Sequence, residues 1–293
     1  VTTTTGPVVV GVDGSESSME AAAWAGREAA AHGWPVSLVG STHEAASLMC
    51  AWVPGRRHHV LDYVVQQSLS AADAAAQEGA GARSLSVTRT VDTGSPPTVL
   101  VDAAIVARLL VIGCHGLGPL HPSVNRSVAS HANCPVVVVR RCPEVGDAGF
   151  EGPVVVGIDG SRESERALAR AFEESSTHGV SLVAVHTWTE FDLSTAILTD
   201  SDGQLLAVPQ VDRAEHVVLS ERLAGWRELY PDVPVVPVVV EGNPVQELLD
   251  RARTAQLLIV GRSTRRGRTI LEGSVGRRLV HRAPCPVMIV PSS

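Results

Sequence analysis

Pro7-Val-Val-Val-Gly-Val-Asp-Gly-Ser15 returns 146 residues later as Pro153-Val-Val-Val-Gly-Ile-Asp-Gly-Ser161. Two further apolar blocks repeat in the same order. Leu109-Leu-Val-Ile-Gly113 recurs as Leu257-Leu-Ile-Val-Gly261 at an offset of 148, and Cys134-Pro-Val-Val-Val-Val139 as Cys285-Pro-Val-Met-Ile-Val290 at an offset of 151. Repeated blocks whose offsets drift slowly mark a duplicated domain with small loop differences. The boundary falls in Arg141–Gly152, where Pro143, Gly146, Gly149 and Gly152 sit among charges. The reading is a first domain over 1–142, a linker over 143–152 and a second domain over 153–293.

Within each half, strand-like and helix-like stretches alternate. Val8–Val12, Val36–Val39, Leu109–Ile112 and Val136–Val139 are short, β-branched and scarcely interrupted by polar residues, as strands covered on both faces are. Ser17–His32 and Val60–Gly79 are alanine-rich and read as packed helices. Leu168, Ala171 and Phe172 have helical spacing, as do Val245, Leu248, Leu249 and Ala252. Ser84–Thr90 and Val233–Val240 supply a fifth strand per half. Alternation of this kind forces parallel pairing through right-handed crossovers. The expected fold is α/β: two tandem, doubly wound, parallel five-stranded sheets, Rossmann-like three-layer α/β/α sandwiches.

Composition narrows the function. The 293 residues are 44% hydrophobic and 19% charged, an ordinary globular balance. A formal charge of -7 lacks the positive field that a sequence-independent grip on nucleic acid needs. No apolar run reaches the ~18 residues of a membrane span, and the Thr-rich Val1–Thr5 does not read as a secretion signal. Five cysteines (Cys50, Cys114, Cys134, Cys142, Cys285) are an odd number and suit reduced thiols in a cytoplasm. All 24 basic residues are arginine. Without lysine there is no phosphate-loop lysine, no Schiff base and no kinase lysine.

In an open parallel sheet, ligands bind beyond the carboxyl ends of the strands where strand order reverses. Strand one ends in Asp13-Gly14-Ser15 and Asp159-Gly160-Ser161. The glycine permits a tight turn and the serine can cap the next helix. For the aspartate two readings stay open: part of that cap, or a carboxylate for a sugar hydroxyl. Strand four ends at Gly113-Cys-His-Gly116 and at Gly261-Arg-Ser-Thr264, with helix starts at Pro122-Ser123-Val124 and Gly273-Ser274-Val275 downstream. A glycine-rich loop running into a helix N-terminus can cradle phosphate, although an ordinary turn and cap look the same in sequence.

Asp-Gly-Ser after strand one, a glycine loop with a helix-starting Ser after strand four, and a Cys-Pro apolar last strand occur together and occur twice. Across essentially the whole chain this resembles the universal stress protein family in its tandem two-domain form. The resemblance implies an adenine-nucleotide-binding domain with the loop Gly-x2-Gly-x9-Gly-(Ser/Thr), the expected ligand being ATP, alone or with magnesium. It implies that Asp13 with Gly11 and Val12, and Asp159 with Gly157 and Ile158, flank adenine and ribose. Main chain at His43 and Thr187 would meet the adenine edge. Ile112, Gly113, Gly116, Ser123 and Val124 in the first half, and Val260, Gly261, Gly273, Ser274 and Val275 in the second, would line the phosphates. It further implies that the last strands, Val136–Val139 and Val287–Val290, pair the two halves edge to edge, with a homodimer as an additional assembly.

Both loops depart from that pattern. The first keeps Gly113 and Gly116 but shortens the spacer to five residues, and Pro122, which has no N–H to donate, replaces the later glycine. A register through Arg126-Ser127 would restore the spacer at the expense of a four-residue deletion in the next helix. The second keeps Gly273-Ser274 but has Thr264 for the second glycine, where a positive φ is costly. Arg262, Arg265, Arg266 and Arg268 crowd this loop; they suit a triphosphate by bidentate hydrogen bonds, or equally a solvated basic surface. The expectation is nucleotide binding in the second half and weaker binding in the first.

Other constellations are thinner. Cys114-His115 lacks further ligands at zinc spacing, and Arg56-Arg57-His58-His59 reads as a solvated loop. No Gly-x-Ser-x-Gly elbow is present. Glu272 is the one acid beside the second phosphate loop, so hydrolysis of ATP would be slow at most. Two alternatives to a nucleotide-occupancy regulator of stress or growth stay open: a slow ATPase, and an interaction protein that has lost its nucleotide.

Overall fold

The structure is a computed structural model and describes residues 6–43, 57–116, 121–140, 152–188, 208–262, 264–265, 268–269 and 275–291. The linker segment 141–151 lies outside these, as do Cys50, Arg56 and Cys142.

The first half runs β1 (Val8–Val12), α1 (Glu16–His32), β2 (Val36–Ser41), α2 (Arg57–Ala80), β3 (Val87–Asp92), α3 (Pro96–Ala103), β4 (Leu109–Gly113), α4 (His121–His131) and β5 (Val136–Val139). The second runs β6 (Val154–Ile158), α5 (Arg162–His178), β7 (Leu182–Trp188), α6 (Val208–Leu229), β8 (Val235–Glu241), α7 (Pro244–Ala252) and β9 (Leu257–Gly261). It closes with a short hairpin, β10 (Thr264–Arg265) and β11 (Arg268–Thr269), then α8 (Val275–Arg282) and β12 (Val287–Val290). Expected strands β1, β5 and β12 match residue for residue. β3 and β8 begin three and two residues later than the apolar pattern suggests, at Val87 and Val235. Arg57, His58 and His59 form the first turn of α2 rather than a loop.

The strands join in one sheet of order β3-β2-β1-β4-β5-β12-β9-β6-β7-β8. Each half is parallel, and the two meet through the antiparallel pair β5–β12, with Val138 opposite Val287 and Val137 opposite Met288. The edge-to-edge pairing implied by the family resemblance is therefore present within the chain.

Alternation along the strands divides the core. Val8, Val10 and Val12 of β1, and Val154, Val156 and Ile158 of β6, face one continuous cluster that α1, α2, α5 and α6 cover. The opposite face carries two clusters. Val9 packs with α3 and α4 in one, and Val155 with α7 and α8 in the other. Burial on both faces is why these strands read as unbroken apolar runs. The paired helices differ between halves: Phe172, Trp226 and Tyr230 stack between α5 and α6, whereas α1 meets α2 through Ala21, Ala25, Ala72 and Ala76.

Candidate functional site

Strand order reverses between β1 and β4 and again between β6 and β9. Two crevices therefore open beyond the carboxyl ends of these strands. In the first, Gly14 has a φ of 87°, which turns the chain back toward α1. Asp13 Oδ1 accepts from the Ser15 N–H at 2.9 Å and from its hydroxyl at 2.6 Å. Ser15 Oγ in turn accepts from the Ser18 N–H at 3.1 Å, capping α1. The second crevice repeats this. Gly160 has a φ of 80°, Asp159 Oδ1 takes the Ser161 N–H at 3.0 Å and hydroxyl at 2.6 Å, and Ser161 caps α5 through the Ser164 N–H. Burial pushes the Asp159 carboxyl upward, but hydrogen bonds from Ser161 and Ser164 outweigh it and hold the group below the usual carboxylate range. The serines are thus caps, and each aspartate is locked as a rigid acceptor at the mouth of its crevice.

At the ends of β4 and β9 the glycines make room for a helix. A Cβ on Gly113 would lie 2.4 Å from Ser17 Oγ and 2.6 Å from the Ser17 carbonyl oxygen. One on Gly261 would lie 2.6 Å from the carbonyl carbon of Glu163. Beyond Gly113, the His115 N–H donates to Ser17 Oγ at 3.2 Å, and Asn125 of α4 donates to the Gly113 and Cys114 carbonyls. Gly116 closes the described part of this loop. Arg262 does not belong to the phosphate side. Its guanidinium donates to the carbonyls of Ser130 and Ala132 in the first half, at 3.2 and 2.7 Å, and is buried there. Arginine satisfies the exposed carbonyls at the end of α4 and so ties one half to the other.

Ile112, Val124, Val260, Val12 and Ile158 are core side chains, and Val275 packs against the core, so what they offer the crevice is main chain. Gly11 and Gly157 sit just before the strand ends. Helix α4 begins at His121, which places Pro122, Ser123 and Val124 in its first turn instead of putting Ser123 at the cap. Helix α8 begins at Val275; Gly273, Ser274 and Arg266 lie outside the described residues. Arg265 and Arg268 stand opposite each other in the β10–β11 hairpin.

At the second strands the halves diverge. The ladders make Ser41, not His43, the counterpart of Thr187: β1 pairs Val12 with Gly40, and β6 pairs Ile158 with His186. His43 is exposed beyond β2, its N–H donating to Ser41 Oγ at 3.1 Å. His186 donates from Nδ1 to the Ile158 carbonyl at 2.8 Å, and its Nε2 meets Glu215 of α6 at 2.9 Å. Gly40 holds the same place in the first half, with Val65 of α2 directly over it. The His186–Glu215 pair escaped the sequence reading because its partners lie 29 residues apart on different elements.

A second missed cluster lies far from both crevices, where α1 touches α5. Glu28 and His32 of α1 face Glu174 and His178 of α5. A signal was present: Glu-x3-His recurs at the same offset of 146 as the first repeated block.

A tandem pair of Rossmann-like halves, each with a rigid Asp-Gly-Ser turn at its switch point, defines a class of protein with two related crevices. The universal stress protein family matches residues 4–140 and 152–291, and the chain belongs to that family. Universal stress proteins of Mycobacterium bovis and Mycobacterium tuberculosis are 36% identical to it over 301 residues, covering 98% of this chain and 97% of theirs. A further M. tuberculosis universal stress protein is 34% identical over 299 residues, covering 98% and 96%. A universal stress protein structure from Archaeoglobus fulgidus shares the fold with a TM-score of 0.72 at 16% identity, covering 99% of this chain and 100% of that one. No described helix is long and apolar enough to cross a membrane.

Proposed function

We propose that the crevices bind an adenine nucleotide, ATP in the first instance, and that occupancy acts as a regulatory state rather than as a step in turnover. The observation that carries this reading is the repeated Asp-Gly-Ser turn at each strand-order reversal. A carboxylate held at this place, beside main chain at Gly11, Val12, Gly157 and Ile158, would serve as an acceptor for a ribose hydroxyl. The helix starts at α4 and α8 supply N–H groups and a favourable dipole for phosphate. Pro122 takes one N–H from the first of them, so the second half is the stronger site, with Arg265 and Arg268 as its cations. Magnesium would accompany the phosphates.

Calorimetric titration of the full chain with ATP tests this. The expected result is one dominant site that Asp159→Asn weakens and Asp13→Asn does not. The amide keeps an Oδ1 acceptor for Ser161, so the turn survives while the charge is lost. Two equal sites, or loss only with Asp13→Asn, would overturn the assignment to the second half. No heat and no nucleotide in an extract of the purified protein would overturn nucleotide binding itself.

A further inference from the structure

Where α1 crosses α5, four ligand side chains converge from two helices. His32 Nε2 lies 3.0 Å from Glu28 Oε1 and 3.2 Å from Glu174 Oε2. His178 Nε2 lies 3.0 Å from Glu28 Oε2 and 3.7 Å from Glu174 Oε2. One ligand atom from each of the four residues lies within 4.8 Å of the other three. We propose that Glu28, His32, Glu174 and His178 form a binding site for a single divalent transition-metal ion, of which Zn2+ fits best, at the junction of the two halves.

The spacing supports a small four-coordinate ion. Zn2+ binds imidazole nitrogen and carboxylate oxygen at about 2.0–2.1 Å, so neighbouring ligands of a tetrahedron stand roughly 3.3–3.4 Å apart. The nitrogen–oxygen separations run from 3.0 to 3.7 Å, Glu28 reaching His32 through Oε1 and His178 through Oε2. With one ligand atom per residue all four lie within 4.8 Å of one another, so the side chains need only draw in around an ion. Two imidazoles with two carboxylates are a borderline donor set that suits zinc, whereas Ca2+ and Mg2+ call for more oxygen ligands.

Charge and surroundings agree. Glu174 is fully buried and Glu28 nearly so, and two buried carboxylates match one dication with neutral imidazoles. Arg170 does not compete for this place. Its guanidinium lies 2.6 Å from Glu174 Oε1 and 2.9 Å from Glu173 Oε2, which leaves Glu174 Oε2 directed at the histidines. It thus acts as an outer partner that orients a ligand. Trp34 stacks on His32 with ring centroids 3.9 Å apart and fixes the imidazole plane. A cavity of ≈ 40 Å³, lined by Trp24, Arg27, Val154, Gln256 and the ligands Glu28 and His178, reaches the cluster from one side and gives an ion a route in. Because each half contributes one Glu and one His, the ion would clamp α1 to α5. This site is independent of the nucleotide crevices.

The test uses the full chain, stripped with a chelator and titrated with Co2+ alone. The expected result is one Co2+ per chain, with the intense visible absorption of a four-coordinate nitrogen–oxygen site, without a thiolate-to-cobalt band, and displaced by Zn2+. Affinity should fall at least about 100-fold in His178→Ala and in Glu174→Gln, each checked for native circular dichroism. Zn2+ should raise the melting temperature of the unaltered protein and not that of the variants. The spectrum of the unaltered chain decides the matter even if a variant fails to fold. Absence of stoichiometric binding, a thiolate signature, or full affinity in folded variants would show the cluster to be a metal-free clasp and overturn the proposal.

Discussion

At the scale of single residues, the same side chain serves turn and crevice, and the turn is the part that can be read directly. Asp13 and Asp159 could be assigned in sequence either to a cap or to a sugar hydroxyl. The structure shows their Oδ1 atoms engaged by Ser15 and Ser161, so the cap is real, and any ligand must use what the turn leaves. Gly113 and Gly261 looked like phosphate glycines, yet the space of their missing Cβ belongs to α1 and α5. Gly113→Ala and Gly261→Ala should therefore each destabilise by roughly 1–3 kcal/mol through overpacking, read as a lower urea midpoint. Gly225→Ala, on the exposed face of α6 with open space at its Cβ, should move the midpoint the other way by about 0.8–1 kcal/mol. Thiol chemistry offers a second check. Cys134 and Cys285 are buried, and burial pushes both thiols up to about 12. Peptide mapping after native labelling at pH 8 should find both unmodified, because the thiolate is the reacting form.

At the scale of elements, the repeat made most strands and helices legible, since both-face burial leaves an unbroken apolar run and an α-helix leaves its spacing. What it could not supply was contact between elements far apart in the chain. In sequence Arg262 suits a triphosphate or a solvated basic loop equally, beside Arg265 and Arg268, but a buried pair of carbonyls at the end of α4 claims it. The α1–α5 contact is only half legible for the same reason: the repeat of Glu-x3-His stands in the sequence, but nothing local tells it that its image will face it. In the metal-free protein this contact sets a pH dependence. Burial would lower His32, but Glu174 and Glu28 outweigh it and raise it to about 9; His178 is raised as well, chiefly by Glu28. Burial, eased by Arg170 and aggravated by Glu28, raises Glu174, while hydrogen bonds from His178 and His32 overcome burial and hold Glu28 low. Groups with a raised folded pKa bind protons more tightly when folded, so the histidine contribution is complete below the unfolded value of ~6.5 and fades toward pH 9, whereas that of Glu174 is complete only below the unfolded carboxylate value of ~4.3 and is lost by about pH 7. The Glu28 contribution fades instead as pH falls through the carboxylate range. With chelator present, the urea midpoint should peak near the unfolded carboxylate pKa of ~4.3 and decline from there toward pH 9. Glu174→Gln should flatten the alkaline limb; an unchanged limb would mean that the cluster does not couple to folding.

At the scale of the whole molecule, the two halves share more than a covalent link. A single core cluster on one face runs from Val8 and Leu38 through Val137 and Met288 to Phe172 and Leu223, crossing the β5–β12 seam. Val136, Val137, Val138, Val287, Met288 and Ile289 pair across that seam and are essentially inaccessible to solvent. The backbone ladder, the packed side chains, the Arg262 tie and the α1–α5 contact all join the halves, so neither can open its inner edge without exposing apolar surface of the other. Heat denaturation of the full chain should therefore be one transition, with equal calorimetric and van't Hoff enthalpies. Met288→Asp places an unpaired carboxylate in the middle of the seam, among buried apolar side chains that offer it neither a hydrogen-bond donor nor a cation. Such substitutions cost about 4 kcal/mol or more. The strain falls on the joint while each half retains its own parallel ladder and its own outer-face cluster. The expected thermogram of Met288→Asp is two separated transitions, both below that of the parent. A single transition that merely shifts downward would mean that the halves have no stability apart from one another, and that the seam is a condition of folding rather than a coupling between two folded parts.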